Sequence, residues 1–163
     1  MSNLRTAYTN LAAMAVSFTK ENGISTGTIN CKDLHQLPDG AVSTADLPVR
    51  LLLPMEDWGA DAPNLGIISS GASGVSGLMT WMITDLLLWD QVAQNMQIQM
   101  HYPDLVRYCG AHVTALLDNK DMASYVYFRN VYYRTGVFEY PLASGKQYFG
   151  VEAVCTFEEM INP

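Results

Sequence analysis

The chain has 163 residues, 49% apolar and 15% charged, with a net charge of −7 from nine Lys and Arg against sixteen Asp and Glu. That length suits one domain spanning 1–163, with a core large enough to stand without disulfides or metals, and the composition excludes a disordered chain. The acidity and the lack of any basic cluster argue against gripping nucleic-acid phosphates by counterion release, while a charged fraction below the ~25% usual for soluble domains points to surface covered by a partner.

Cys31, Cys109 and Cys155 are widely spaced and form no CxxC pair, which reads as reduced thiols acting as small hydrophobes. The opening MSNLRTAYTN lacks a signal-peptide layout, and no apolar run reaches the ~18 residues of a membrane helix. We expect a protein kept in the cytoplasm, or carried in a particle assembled there.

In chain order, Asn3 caps a predicted helix running to about Lys20, with Leu4, Tyr8, Leu11, Ala15 and Phe18 on one stripe. Gly23 supplies the left-handed stop. Ile24 to Cys31 reads as a short strand, Asp33 to Pro38 as a single turn, and Leu47 to Pro54 as a compact strand fenced by Pro48 and Pro54. Residues 55–77, acidic around Trp58 and ending in a glycine–serine run, show no regular element and are predicted to be a flexible loop.

Leu78 to Trp89 is a strand apolar on both faces. A strand with one wet face alternates cleanly, so both sides of this one are expected to be covered, the second by a neighbouring subunit. Gln91 to Met100 is ambiguous, with a first helical segment as one reading. Pro103 opens a helix to about Leu117, with Leu105, Val106, Cys109, Val113, Leu116 and Leu117 as its buried stripe.

Two β-rich runs within Tyr125–Glu159 flank a Pro141–Lys146 turn and hold six of the nine tyrosines, which predicts a long C-terminal hairpin. The whole is α+β: an antiparallel-rich mixed sheet of about four to five strands flanked by two main helices.

Motifs for chemistry are sparse. Gly71, Gly74 and Gly77 lack the lysine of a phosphate loop, and Val75 breaks a GxSxG elbow. Cys109 and His112 share a helix face with His101 nearby, and Cys31 and His35 are a second weak pair, but no cluster completes a metal site. A Cys109–His112 dyad would need an exposed thiolate, and Cys109 falls on the predicted buried stripe. Asp85 is the one odd acid, set among Trp81, Ile83, Leu87 and Trp89. It reads as an ion-pair member with Arg50, Arg129 or Arg134, with a buried catalytic acid as the alternative. Arg129 and Arg134 interleave with Tyr127, Tyr132 and Tyr133, a pattern that can stack bases, although cross-strand packing and subunit contact fit the scarcity of basic residues better.

As a pattern of elements the chain resembles the tail-terminator (tail-completion, or neck) proteins of long-tailed bacteriophages. The resemblance rests on the N-terminal helix leading to a short strand, on DLPVRLLLP, on LMTWMITDLLLW running into a helical stretch, and on GVFEYPLASGKQYFGVEAVCTFEE. It implies a non-enzymatic virion protein: a small subunit in a six-membered ring that caps the tail tube, stops its polymerisation and meets the head-completion or connector protein. DNA would pass the acidic lumen without specific binding, and no cofactor or metal is implied.

On this reading the subunit and partner contacts are expected from Trp58 in the loop, from Trp81, Asp85 and Trp89 on the central strand, and from the hairpin. The hairpin residues are Arg129, Tyr132, Tyr133, Arg134, Tyr140 and Tyr148. The alternatives are a small α+β enzyme or ligand-binding domain using Asp85, the histidines or Cys109, and another phage tail, head-completion or baseplate protein.

Overall fold

The computed structural model describes residues 4–33, 35–53, 66–69 and 77–161. Helix α1 (Leu4–Ala13) is followed by strands β1 (Asn30–Lys32), β2 (Val49–Leu53), β3 (Gly66–Ser69) and β4 (Gly77–Gln91). Helix α2 (Tyr102–Asp118) then leads to β5 (Asp121–Ala123), β6 (Val126–Glu139) and β7 (Gln147–Ile161). One mixed sheet runs β1-β2-β4-β7-β6-β5, with β3 beside β2 along the same edge of β4. Among the described strands only β1–β2 is parallel. The fold is α+β as expected, with more strands than the four to five predicted.

The β6–β7 hairpin and β4 form the frame. β7 pairs antiparallel with β4 from Gly77↔Ile161 to Gln91↔Tyr148, and with β6 from Val126↔Glu159 to Glu139↔Gln147. Alternation along β7 sets Val151, Ala153, Cys155 and Phe157 inward while Glu152, Val154, Thr156 and Glu158 face the other way. Both helices pack on the inward face, where α1, Met14, Val16, Ile29 and α2 meet Leu52, Ile83, Leu87 and Trp89. Fully burying one such leucine contributes roughly 1.5–3 kcal/mol.

β4 is buried on both faces from Ile83 to Trp89, but the second cover comes from the chain itself. A strap over residues 37–47 brings Leu37, Val42 and Leu47 against Val49, Leu51, Leu86, Leu88, Phe138 and Tyr148. Two tyrosine hydroxyls hold the strap down: Tyr148 donates to the Val42 carbonyl at 3.0 Å and Tyr140 to the Pro38 carbonyl at 2.9 Å. No neighbouring subunit is needed there.

β4 carries a bulge between Leu88 and Asp90, and Gly150 lies opposite Leu88. A Cβ at Gly150 would sit 2.0 Å from the Leu87 carbonyl oxygen, so the backbones approach more closely here than any side chain permits.

Five further expectations change. α1 stops at Ala13 rather than near Lys20. Beyond it burial alternates, with Met14 and Val16 buried and Ala15, Ser17 and Thr19 exposed. This extended segment pairs back on residues 24–29 through Lys20 N to Ile24 O, Thr26 N to Phe18 O and Ile29 N to Val16 O, each 2.9 Å. Ala15 and Phe18 matched a helical stripe, but β-branched Val16 and Thr19 favour the extended backbone. Gly23 takes the left-handed conformation expected of it, at φ +81°, but in the turn of this ribbon rather than as the stop of a helix.

The 24–31 strand shortens to Asn30–Lys32, its first half serving that ribbon. Within 55–77, Gly66–Ser69 forms β3 and Gly77 opens β4, correcting the expectation of no regular element; residues 55–65 and 70–76, including Trp58, lie outside the described residues. Residues 92–101 hold a single 3-10 turn, Ile98–Met100, and no α-helical segment.

α2 keeps its predicted bounds within about a residue but not its predicted buried face. Leu105, Tyr108, His112, Ala115 and Leu116 are buried, while Val106 and Leu117 are 52% and 59% exposed. A polar residue occupies the buried line because a carboxylate waits beneath it.

Candidate functional site: a sealed Arg-Asp-His-Tyr cluster

Alternation along β2 turns Arg50 and Leu52 to the helix side, and β4 does the same with Asp85, which lies opposite Leu52. Arg50, Asp85 and His112 are all fully buried. The Arg50 guanidinium donates from Nε to both Asp85 oxygens at 3.2 and 3.1 Å, and its Nη2 also reaches Oδ2. Its remaining protons cap α1: Nη1 donates to the Met14 carbonyl at 2.9 Å and Nη2 to the Leu11 carbonyl at 3.2 Å. Carbonyls at a helix C-terminus lack intrahelical donors and carry partial negative charge, so a buried cation there satisfies both needs.

His112 reaches down from α2 with Nε2 2.9 Å from Asp85 Oδ2, while its Nδ1 is 2.7 Å from the Tyr133 hydroxyl on β6. An ionised Asp85 only accepts, so Nε2 carries a proton and donates; in the neutral ring Nδ1 accepts the Tyr133 proton. Burial opposes ionisation of Asp85, but the Arg50 charge and the His112 bond outweigh it and bring the carboxyl down to about 2. Burial likewise works against the Arg50 charge, and Asp85 beside it raises its pKa all the same.

This cluster joins α1, β2, β4, α2 and β6. Such a pair is not worth more than apolar residues of equal volume; what it supplies is a set of geometric demands that one packing satisfies. Burial pushes the Tyr133 phenol, and the Tyr108 phenol beside His112, above their ordinary range. It pushes the Cys109 thiol to about 11 and the Cys31 thiol to about 12. Neutral phenols and thiols are poor nucleophiles, so the arrangement favours holding protons over moving them.

The other predicted residues separate into three groups. Trp81 is 3% exposed and Trp89 is also buried, the latter stacked on Phe18 with ring centroids 5.7 Å apart and the Lys20 ammonium 5.4 Å from its ring. With Asp85 and Tyr148 they lie inside the fold, so the expectation that they form contact surface is corrected. Tyr133 and Tyr140 are half-buried and tied to His112 and the strap.

Tyr132, by contrast, is 70% exposed. Exposed Arg129 and Arg134 pair across the hairpin with Glu158 and Glu152. These three share the sheet face turned away from the helices with Tyr127, Met82, Val154 and Thr156, which are partly exposed beyond the end of the strap.

Cys109 and His112 do not act together, since His112 turns to Asp85, and His101 stacks on Phe149 with centroids 4.7 Å apart. Sequence reasoning named Arg50 as a partner for Asp85 and missed His112 as the other. The available signal was spacing: His112 continues the Leu105, Tyr108, Ala115 line at helical steps, where a polar residue implies a buried partner.

A shallow groove of about 780 Å³ runs between the 13–19 segment and the far side of α2, lined by small residues such as Ala13, Ala15, Gly110 and Thr114 with Arg107 and Asp118. No protein-family model matches the chain, and no curated protein is significantly similar to it in sequence.

Proposed function

We propose that this chain is a structural assembly subunit of the phage tail-terminator kind, forming a ring that caps a tail tube and meets the head-proximal connector. The observation that carries the reading is the uncovered half of the hairpin face. There Tyr132 stands 70% exposed between the Arg129–Glu158 and Arg134–Glu152 pairs, while the other half lies under the chain's own strap. Exposed tyrosine and arginine are the residue types that anchor protein interfaces. The order of elements on which the resemblance rests, from helix and short strand through to the closing hairpin, is also the order in the fold. An acidic subunit suits a lumen that passes DNA without holding it.

Light scattering on the purified chain across concentration, followed by negative-stain imaging with tail tubes, tests the proposal. Rings at tube ends are expected, and Tyr132→Ala with Arg134→Ala should abolish them while the chain stays folded. A chain that stays monomeric and never decorates tube ends refutes it.

The rival reading, a small α+β enzyme, has one observation in its favour: the Asp85–His112–Tyr133 chain ends on a half-buried tyrosine. Tyr133→Phe removes the terminal hydroxyl alone; loss of a measurable turnover in that variant would favour the enzyme.

A further inference from the structure

β6 is bonded on one side by β7 along its length, but on the other side β5 reaches only Val126 and Tyr127. Phe128 N donates to the Lys120 carbonyl at 2.9 Å. From Asn130 to Glu139, among the described residues, no strand lies against the outer edge. At a rise of ~3.4 Å per residue this is an edge of roughly 30 Å, with every second residue aiming its N–H and C=O outward. Natural edges are blunted by proline, lysine or a bulge. This one has neither proline nor lysine between Val126 and Glu139, its charged Arg134 and Glu139 are engaged by Glu152 and the Gly145 amide within the hairpin, and its one bulge, at Phe128/Asn130, comes before the open part.

A second feature borders the same edge. Tyr102, Val106, Cys109, Val113 and Leu117 recur at steps of four and three along α2, and none is fully buried. They form an apolar stripe roughly a quarter turn from the buried line, on the side opposite the groove that holds Arg107 and Asp118. The third charged residue of α2, Asp104, accepts from the Glu21 amide, so no charge interrupts the stripe. α2 meets β6 at His112 and Tyr133. Edge and stripe therefore make one slot, with a strand's hydrogen bonds on its floor and an apolar helix above.

We infer that this slot is self-complementary and takes the same β6 edge of a second copy in an antiparallel, two-fold pairing centred on Thr135. That register keeps side chains on their own faces and sets Tyr132 opposite Phe138, Tyr133 opposite Val137 and Arg134 opposite Gly136. Shifting the centre to Arg134 opposes two like charges, which is unfavourable. The same axis turns the two α2 stripes toward each other, giving an isologous contact of strand and helix. The inference concerns the free chain and does not rest on the tail reading.

The test is sedimentation equilibrium of the free chain with Val106→Lys, Leu117→Lys and Val137→Lys, all at partly exposed positions. A wild-type dimer is expected, with its dissociation constant raised at least ~10-fold by each lysine, as one desolvated charge costs 1.4 kcal/mol or more. Circular dichroism should stay unchanged. Thr135→Cys adds a register-specific readout: oxidation should link the two-fold centre into a covalent dimer, whereas Thr114→Cys, on the groove side of α2, should not link.

A monomer at every concentration overturns the inference. So does an oligomer indifferent to the three lysines, or a Thr135→Cys chain that does not cross-link. A lysine-insensitive ring would remove the slot and leave the tail-terminator proposal standing. Lysine-sensitive dimers that never decorate tubes would do the reverse.

Discussion

Replacing Arg50 by Met and Asp85 by Leu, singly and together, examines the sealed cluster directly. Arg50→Met leaves the Asp85 carboxylate buried with only His112 as a donor, and strips the Leu11 and Met14 carbonyls of their capping protons. Asp85→Leu leaves a guanidinium in the core with those two carbonyls alone. Removing one half of a buried pair costs about 3–5 kcal/mol, a large share of the ~5–15 kcal/mol that holds a domain together.

The double variant leaves no uncompensated charge. It should be destabilised by about 2–4 kcal/mol for the bare carbonyls at the end of α1 and the unpaired His112 Nε2 proton, at least about 2 kcal/mol less than the sum of the single effects. Urea unfolding followed by the fluorescence of buried Trp81 and Trp89 reads this. With a slope of about 2 kcal/mol per molar, each single variant should lower the midpoint by roughly 1.5–2.5 M. Protein concentration is held fixed, since self-association adds to apparent stability. Additivity to within about 0.5 kcal/mol would refute the argument.

Acid should act through the same carboxyl. Its folded pKa of about 2 lies below the ordinary aspartate value of 3.8, so its contribution, about 2 kcal/mol, is complete above pH ~4 and disappears as pH falls from ~4 to ~2; acid titration of wild type against the double variant should show that difference. Gly150→Ala should destabilise by about 3 kcal/mol or more, because the new methyl meets the Leu87 carbonyl oxygen at 2.0 Å and β4 must move; a thermal scan with an unchanged midpoint would contradict the geometry. Trp81→Ala, at a core position, should cost about 3–5 kcal/mol and lower the monomer's urea midpoint. Thiol labelling at pH 8 should be slow for Cys31, Cys109 and Cys155 in the folded chain, whose pKa values burial raises, and rapid in denaturant.

The hairpin, the proline-fenced strand and α2 were legible because each is written in local terms: alternation, turn residues, and a proline at a helix start. Arg50 and Asp85 were legible as a pair, since a lone charge in an apolar strand requires a partner. The facing of α2 was not, because apolarity alone favours Val106 and Leu117 over His112, and only the tertiary position of Asp85 reverses that choice. The end of α1 failed for a related reason. Ala15 and Phe18 satisfy a period of 3.6 while Met14, Val16 and Phe18 satisfy a period of 2, and pairing with residues 24–29 decides between them. Nor does the sequence say that the 37–47 strap covers the back of β4. A run holding Pro38, Asp39 and Gly40 announces a turn and gives no hint of which face it lies upon.

The capping of α1 by a side chain from β2 bears on the order in which the molecule takes shape. A helix of ten residues is marginal in isolation, and here the Leu11 carbonyl in its last turn and the Met14 carbonyl just past it gain their side-chain donor only after Arg50, some 36 residues away in sequence from Met14, has been placed by the sheet. The N-terminal segment is therefore expected to dock after the sheet and to open as a unit. In native-state hydrogen exchange the amides of α1 should share one opening energy with Arg50 and its neighbours. A truncation that removes α1 should register first at Arg50, whose Nη2 proton loses the Leu11 carbonyl, rather than as a frayed end.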